Sequence, residues 1–374
     1  MALSAQSQQF LVSCEFAGQE RVCRGRLFDP QGKPAGAEIP LFEGLLSCAE
    51  DPSLTSLHGG TIAVAWSCSR RSDPSSLWIW VQVASPEAGK VLGPPFPASR
   101  PASLKQSSPL IAPRPGGGFW VLWIEESASS AGTLWGRRFE ADGSSRSPAE
   151  PLSTPGALQG RFRRAAAAAG PSGDLFVVWS GFGPDAGRQP EIYLQRIDDA
   201  GTRMEPVRVS EEQKKPSSAN VEPALAVSSR GEIAVVWLRK AGPQLGWGRL
   251  LSPEGRPLGP ELRLGTRSDT LERSIAVAAA GSRFVAVWLD LLRDGSEPPK
   301  TVARIISPPT GGEGKPFVVS EGPRSAGATR NPVALTAGTS EVAVYELHPS
   351  AKSSAEAELI GCRVPAQRPY SPDR

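Results

Sequence analysis

The chain has 374 residues, with 41 Lys and Arg against 38 Asp and Glu for a net charge of +3, and no basic run that would track nucleic acid. It is 39% apolar but holds no 18-residue apolar stretch, so a sizeable core is expected and a transmembrane helix is not. Its 39 glycines and 37 prolines, about a fifth of the chain, follow no collagen period and suit many tight turns between short strands.

The N-terminus "MALSAQSQQF" has no basic region and no apolar core, so if the protein is exported its signal peptide is already absent from this sequence. Residues 8–41 then read as strands two, three and four of a unit that lacks its first. From there one phrase recurs: a glycine turn, an apolar strand and a closing aromatic. It is "GGTIAVAWSC" (59–68), "GGGFWVLWIE" (116–125), "GDLFVVWSGF" (173–182), "GEIAVVWLRK" (231–240), "GSRFVAVWLD" (281–290) and "GTSEVAVYEL" (338–347). The aromatics Trp66, Trp123, Trp179, Trp237, Trp288 and Tyr345 are 57, 56, 58, 51 and 57 residues apart, the period of a repeat architecture.

Each phrase has the same neighbours. Upstream lies a short strand such as "EPALAVS" (222–228), which makes a hairpin with the aromatic strand. Downstream comes an alternating strand such as "LWIWVQV" (77–83) or "IYLQRID" (192–198), then a turn such as "DDAGT", then a weak fourth strand such as "EPVRVS". The tail, 331–364, supplies strands one to three of a last unit. Five full and two partial units predict an all-β fold, a single β-propeller over 1–374 with about seven four-stranded antiparallel blades, six being the alternative. Residues 1–9 and 365–374 are expected to be flexible or to close the ring, since open blade edges would leave backbone groups unpaired. The six aromatics are read as repeat core, each packed on a neighbouring blade.

The stretches "LFVVWSG" (175–181) and "EIYLQRIDDAGTRMEPVRVS" (191–210) resemble the repeat of bacterial extracytoplasmic propeller proteins, an apolar-W strand followed by an "IYxxRxxxxG" strand and turn. The resemblance spans nearly the whole chain on short motifs. It implies the propeller fold and a periplasmic or secreted binding or scaffolding module. Tryptophan–aspartate repeat propellers match less well, because their Gly-His and Trp-Asp dipeptides are missing. Sialidases resemble the chain in blade architecture only, and their Asp-box, Ser-x-Asp-x-Gly-x-Thr-Trp, is absent.

Catalytic motifs are scarce. The two histidines, His58 and His348, fall in a turn and a predicted loop, so neither a metal site nor a triad is expected. No G-x-S-x-G, P-loop, G-x-G-x-x-G or H-E-x-x-H occurs, and no cofactor or metal is expected. Cys14 and Cys23, and likewise Cys48 and Cys68, lie symmetrically about predicted turns, which makes them candidate disulfides and points to an oxidising compartment; Cys362 is left over. The residue 15 before each aromatic reads Asp51, Ser108, Arg164, Glu222, Arg273 and Arg330, positions expected to ring the mouth of the central channel. The three arginines suit an anion, and Asp51 and Glu222 suit a structural salt-bridge ring around them.

The loops between strands two and three and between blades, such as "SRRSDPSS" (69–76) and "EEQKKPSSAN" (211–220), differ in length and charge, as a surface for another protein would. The expected function is therefore a non-enzymatic interaction or structural module of an exported assembly. A glycan-binding or sialidase-like glycan-processing propeller is the alternative.

Overall fold

The structure is a computed structural model that describes residues 2–3, 9–17, 20–29, 33–43, 45–70, 73–100, 105–126, 132–153, 165–181, 189–211, 218–308, 314–321, 333–336, 341–350 and 353–365. The fold is all-β, a β-propeller of antiparallel sheets. The described residues form seven sheets in chain order. The first is β1 (Ala2–Leu3), β2 (Gln9–Ala17), β3 (Glu20–Phe28) and β4 (Ile39–Leu41), and the second is β5 (Leu45–Ser56), β6 (Ile62–Arg70), β7 (Asp73–Ser85), β8 (Lys90–Val91) and β9 (Phe96–Pro97). The third runs β10 (Lys105–Pro113), β11 (Phe119–Glu126), β12 (Gly132–Phe139), β13 (Glu150–Pro151), and the fourth β14 (Ala165–Ala169), β15 (Leu175–Gly181), β16 (Glu191–Ile197), β17 (Val207–Arg208). The fifth is β18 (Ala219–Val227), β19 (Ile233–Lys240), β20 (Gln244–Leu251), β21 (Leu262–Arg263), and the sixth β22 (Thr270–Ala280), β23 (Arg283–Leu292), β24 (Lys300–Ile306), β25 (Phe317–Glu321). The seventh is β26 (Val333–Thr336), β27 (Glu341–Ser350) and β28 (Ser353–Pro365). The first sheet has a first strand, Ala2–Leu3, where the sequence predicts none. No helix among the described residues is long and apolar enough to cross a membrane.

The chain divides into two compact units, Met1–Phe162 and Arg163–Arg374. Within each, the second strand of a sheet is apolar on both faces because sheets pack on both sides of it. In β6, Ile62, Val64 and Trp66 join Phe10, Leu27 and Ile39 of the first sheet, whereas Ala63 and Ala65 join Phe119, Val121 and Trp123 of the third. In the second unit Ile233, Val235 and Trp237 pack on Phe176 and Val178, and Ala234 and Val236 receive Phe284, Ala286 and Trp288. The tryptophans of the second, third, fifth and sixth sheets therefore lie on the preceding sheet, often opposite alanine. Trp66, Trp123, Trp179, Trp237 and Trp288 are all fully buried. The side chain of Tyr345 lies outside the described residues, although its backbone pairs with Val333 and Gly361.

The "R" side of the repeat motif has a structural explanation one residue before the motif arginine of β16. Arg137, Arg249 and Arg304 occupy one register of the third strand, and each reaches back to the preceding sheet. Arg137 Nη1 donates to the Ala98 carbonyl at 3.3 Å, Arg249 Nη1 to Val209 at 2.8 Å and Arg304 Nη1 to Leu264 at 3.2 Å. A guanidinium has enough donors to hold its own sheet as well: Arg249 Nε also donates to the Gly259 carbonyl at 2.9 Å.

Candidate functional site

The channel-mouth register predicted from sequence coincides with an irregularity of the innermost strands. The β10–β11 ladder slips between Ser107 and Leu110, the β18–β19 ladder between Val221 and Ala224, and the β22–β23 ladder between Arg273 and Ala276. Ser108, Glu222 and Ser274 sit in these bulges with φ of 54°, a left-handed conformation that is strained for residues with a β-carbon. The counterpart of Ser108 and Glu222 in the sixth sheet is thus Ser274, and the expected equivalence with Arg273 is off by one residue. Arg273 is exposed and Glu222 half-buried. Asp51 lies in β5, where the ladder also slips, but its side chain is outside the described residues, as are Arg164 and Arg330 entirely.

Both predicted cysteine pairs face one another across a hairpin. Cys48 faces Cys68 across β5 and β6, and Cys68 is disulfide-bonded. Cys14 faces Cys23 across β2 and β3, and the side chain of Cys14 lies outside the described residues. Cys23 is buried and packs with Phe10, Leu27, Ile39 and Leu41. His58 is exposed in a short 3-10 turn, and His348 lies in β27 rather than in a loop.

A register missed in the sequence carries more chemistry. The residue two after Trp66, Trp123, Trp237 and Trp288, with its cross-strand partner on the innermost strand, reads Cys68 with Cys48, Glu125 with Gln106, Arg239 with Asn220 and Asp290 with Glu272. These rungs stand at the end of each sheet where strands one and three begin.

In the fifth sheet the rung is a satisfied network. Arg239 Nε donates to Asn220 Oδ1 at 2.9 Å, Arg239 Nη2 to both oxygens of Glu261 at 2.7 Å, and the guanidinium lies 4.3 Å from the Trp247 ring centre. Trp237 Nε1 also donates to Asn220 Oδ1, at 3.0 Å. Asn220 Nδ2 and Ser210 Oγ both donate to Glu191 Oε2, at 2.6 and 2.5 Å. Burial raises the proton affinity of Glu191, and these donors draw it part of the way back.

In the sixth sheet the rung is a carboxylate pair. Glu272 is fully buried, and burial first, with Asp290 opposite it, pushes its pKa up to about 7 against the pull of the Gly246 N–H and Arg263. Asp290 is half-buried and also shifted upward by burial, with Thr270, Arg267 and Lys300 pulling it down and Asp269 pushing it up. Arg267, Asp269, Arg273 and Arg293 are exposed on the same sheet end or the loops joined to it. Two neighbouring carboxyls of raised proton affinity, one partly reachable from solvent and flanked by cations, can hold and release protons. No group of three or more His, Cys, Asp or Glu that could hold a metal ion occurs among the described residues.

No protein-family model matches the chain, and no curated protein matches it in sequence. Solved structures do match it in fold. A polysaccharide lyase aligns over 96% of this chain and 88% of its own at 8% identity with a TM-score of 0.58. A Hadza microbial sialidase aligns over 93% and 74% at 13% identity and 0.52, and the α-L-arabinanase of Penicillium chrysogenum over 85% and 94% at 12% identity and 0.51. These likenesses carry the fold. They also correct one expectation, that the chain is not an enzyme: propellers of this shape cleave glycans, so the lack of His-based motifs is no argument against catalysis.

Proposed function

We propose that this protein is a carbohydrate-active propeller that binds and processes a glycan at the end of the sixth sheet, with Asp290 as the group that moves a proton. The observation that carries the reading is the Glu272–Asp290 pair, in which the half-buried member keeps a raised proton affinity beside a fully buried one. Arg267, Arg273 and Arg293 around it suit carboxylates or sulfates on the sugar chain, which favours an anionic glycan. The glycan-cleaving neighbours supply support at the level of fold. An extracytoplasmic location belongs to the same reading and is supported by the disulfide-bonded Cys68.

The test is a glycan array followed by product analysis on uronate-containing polysaccharides, sialosides and arabinan, with the wild type and Asp290→Asn side by side. The expected result is binding to at least one anionic glycan and turnover reduced 100-fold or more in the variant, the usual scale for loss of a general acid or base. Absence of both binding and turnover in the folded wild type would overturn the proposal, and turnover unchanged in Asp290→Asn would remove Asp290 from it.

A further inference from the structure

Three seams between neighbouring sheets can be compared atom by atom at the polar rung, and one of them is wired differently. Between the second and third sheets, Ser99 Oγ accepts the Ile79 N–H at 2.9 Å and bonds Gln106 Oε1, while Ser67 Oγ donates to the Gln106 carbonyl at 2.7 Å. Between the fourth and fifth, Ser210 Oγ accepts the Ile192 N–H at 3.0 Å, Asn220 Nδ2 bonds Glu191, and Ser180 Oγ donates to the Asn220 carbonyl at 2.6 Å. In both, a serine of the outer strand satisfies the third-strand N–H, and a neutral amide from the next sheet closes the seam.

Between the fifth and sixth sheets both serines are gone. Leu238 stands where Ser67 and Ser180 stand, and Gln244 Nε2 takes over the bond to the inner-strand carbonyl, that of Glu272, at 2.9 Å. Gly265 stands where Ser99 and Ser210 stand, and a β-carbon there would overlap the Glu272 carboxyl. The carboxyl of Glu272 occupies the vacated space, and its Oε2 accepts the Gly246 N–H in the serine's stead. Oε1 has no hydrogen-bond partner, and Asp290 faces Glu272 across the ladder. The other charged groups that face this pair are Arg263 from β21, Arg267 and Asp269 from the loop before β22, and Lys300 from β24.

We propose that this seam is a proton-operated joint: with its carboxyl protonated, Glu272 closes it as Gln106 and Asn220 close theirs, and loss of that proton opens it. A neutral carboxyl has the size and the acceptor of an amide. The ionised form would place a second negative charge opposite Asp290, out of water, with one oxygen unsatisfied, which the structure relieves by parting the fifth and sixth sheets there. The raised proton affinity of Glu272 puts the change near neutral pH. The joint does not depend on the glycan reading, because the seam would open and close with no ligand bound.

Hydrogen exchange of the full chain, corrected for the intrinsic pH dependence, reads the joint at the Gly246 amide. The wild type is expected to lose protection at least tenfold between pH 6 and pH 8, while the Ile79 and Ile192 amides keep theirs. Glu272→Gln, locked in the amide form, should hold Gly246 protection within twofold over that range. Asp290→Asn should keep the loss but move it to lower pH, since the opposing charge is removed. Gly246 protection that is independent of pH in the wild type would overturn the proposal, as would a loss in Glu272→Gln equal to that of the wild type. If Glu272→Gln does not fold, the wild-type profile and its displacement in Asp290→Asn decide the matter alone.

Discussion

At the scale of a residue, Trp237 shows what the repeated aromatic does. Its ring fills the space between Phe176, Val178 and Val235, and its indole N–H shares Asn220 Oδ1 with Arg239. Trp237→Ala should cost about 3–5 kcal/mol, because the fourth and fifth sheets cannot collapse into so large a hole. Trp237→Phe keeps most of the ring, and Asn220 keeps Arg239 as a donor, so its cost should stay near 1 kcal/mol. Denaturant midpoints of the two variants check this, and equal costs would mean that the hydrogen bond rather than the ring matters. The aromatic was legible in the sequence because its burial follows from period and apolar neighbours alone. Glu272 was not. Its role depends on Gly265 being glycine, and that anomaly appears only when the strand ends Ala98–Ser99, Leu152–Ser153, Val209–Ser210 and Leu264–Gly265 are laid over one another.

At the scale of an element, the third strand acts as the tie between sheets. Arg249 in β20 holds the Val209 carbonyl of the fourth sheet and the Gly259 carbonyl of its own. Removing both bonds in Arg249→Ala leaves two part-buried carbonyls to find water, at about 1–3 kcal/mol. Arg249→Lys should recover only a fraction, since a single ammonium cannot reach both acceptors in the guanidinium's fork. Chemical unfolding measures both, and full recovery by lysine would reduce the tie to simple charge. The strands themselves were readable, since alternation and glycine turns mark them. The registers within them were not fully so. Counting back from tryptophan assumes hairpin turns of equal length, and the turn between β22 and β23 is one residue shorter than those between β10 and β11 and between β18 and β19, so the bulge residue falls at Ser274 rather than at the position that Ser108 and Glu222 mark. An extra residue in a bulge leaves no trace in apolar alternation when the neighbouring positions are proline, serine or isoleucine.

At the scale of the whole molecule, the buried carboxyls set the sign of its response to pH. Glu191, Glu272 and Asp290 each hold a proton more tightly folded than unfolded, with burial as the first cause in every case. Above the ordinary carboxylate range, the folded chain therefore binds more protons than the unfolded one, and stability falls as pH rises. For Glu272 the loss begins near its ordinary value of 4.5 and is complete above about 7, at most about 3 kcal/mol. Exposed carboxyls work the other way. Asp198, Asp269, Asp294 and Glu297 are held low, chiefly by hydrogen bonds to Thr202, Arg267, Ser296 and Lys300, and the stability they add is lost only as pH falls through those lowered values. The two trends place the highest melting temperature near pH ~5, where the exposed acids are ionised and Glu272 is still protonated. Scanning calorimetry from pH 4 to pH 8.5 should show that maximum, with a decline toward pH 8 that Glu272→Gln largely abolishes. Glu191, Glu272 and Asp290 all belong to the Arg163–Arg374 unit, so the decline should appear in that unit's hydrogen-exchange protection and leave Met1–Phe162 flat. A melting temperature that rises steadily from pH 5 to pH 8, or a decline shared equally by both units, would contradict the assignment of these protons.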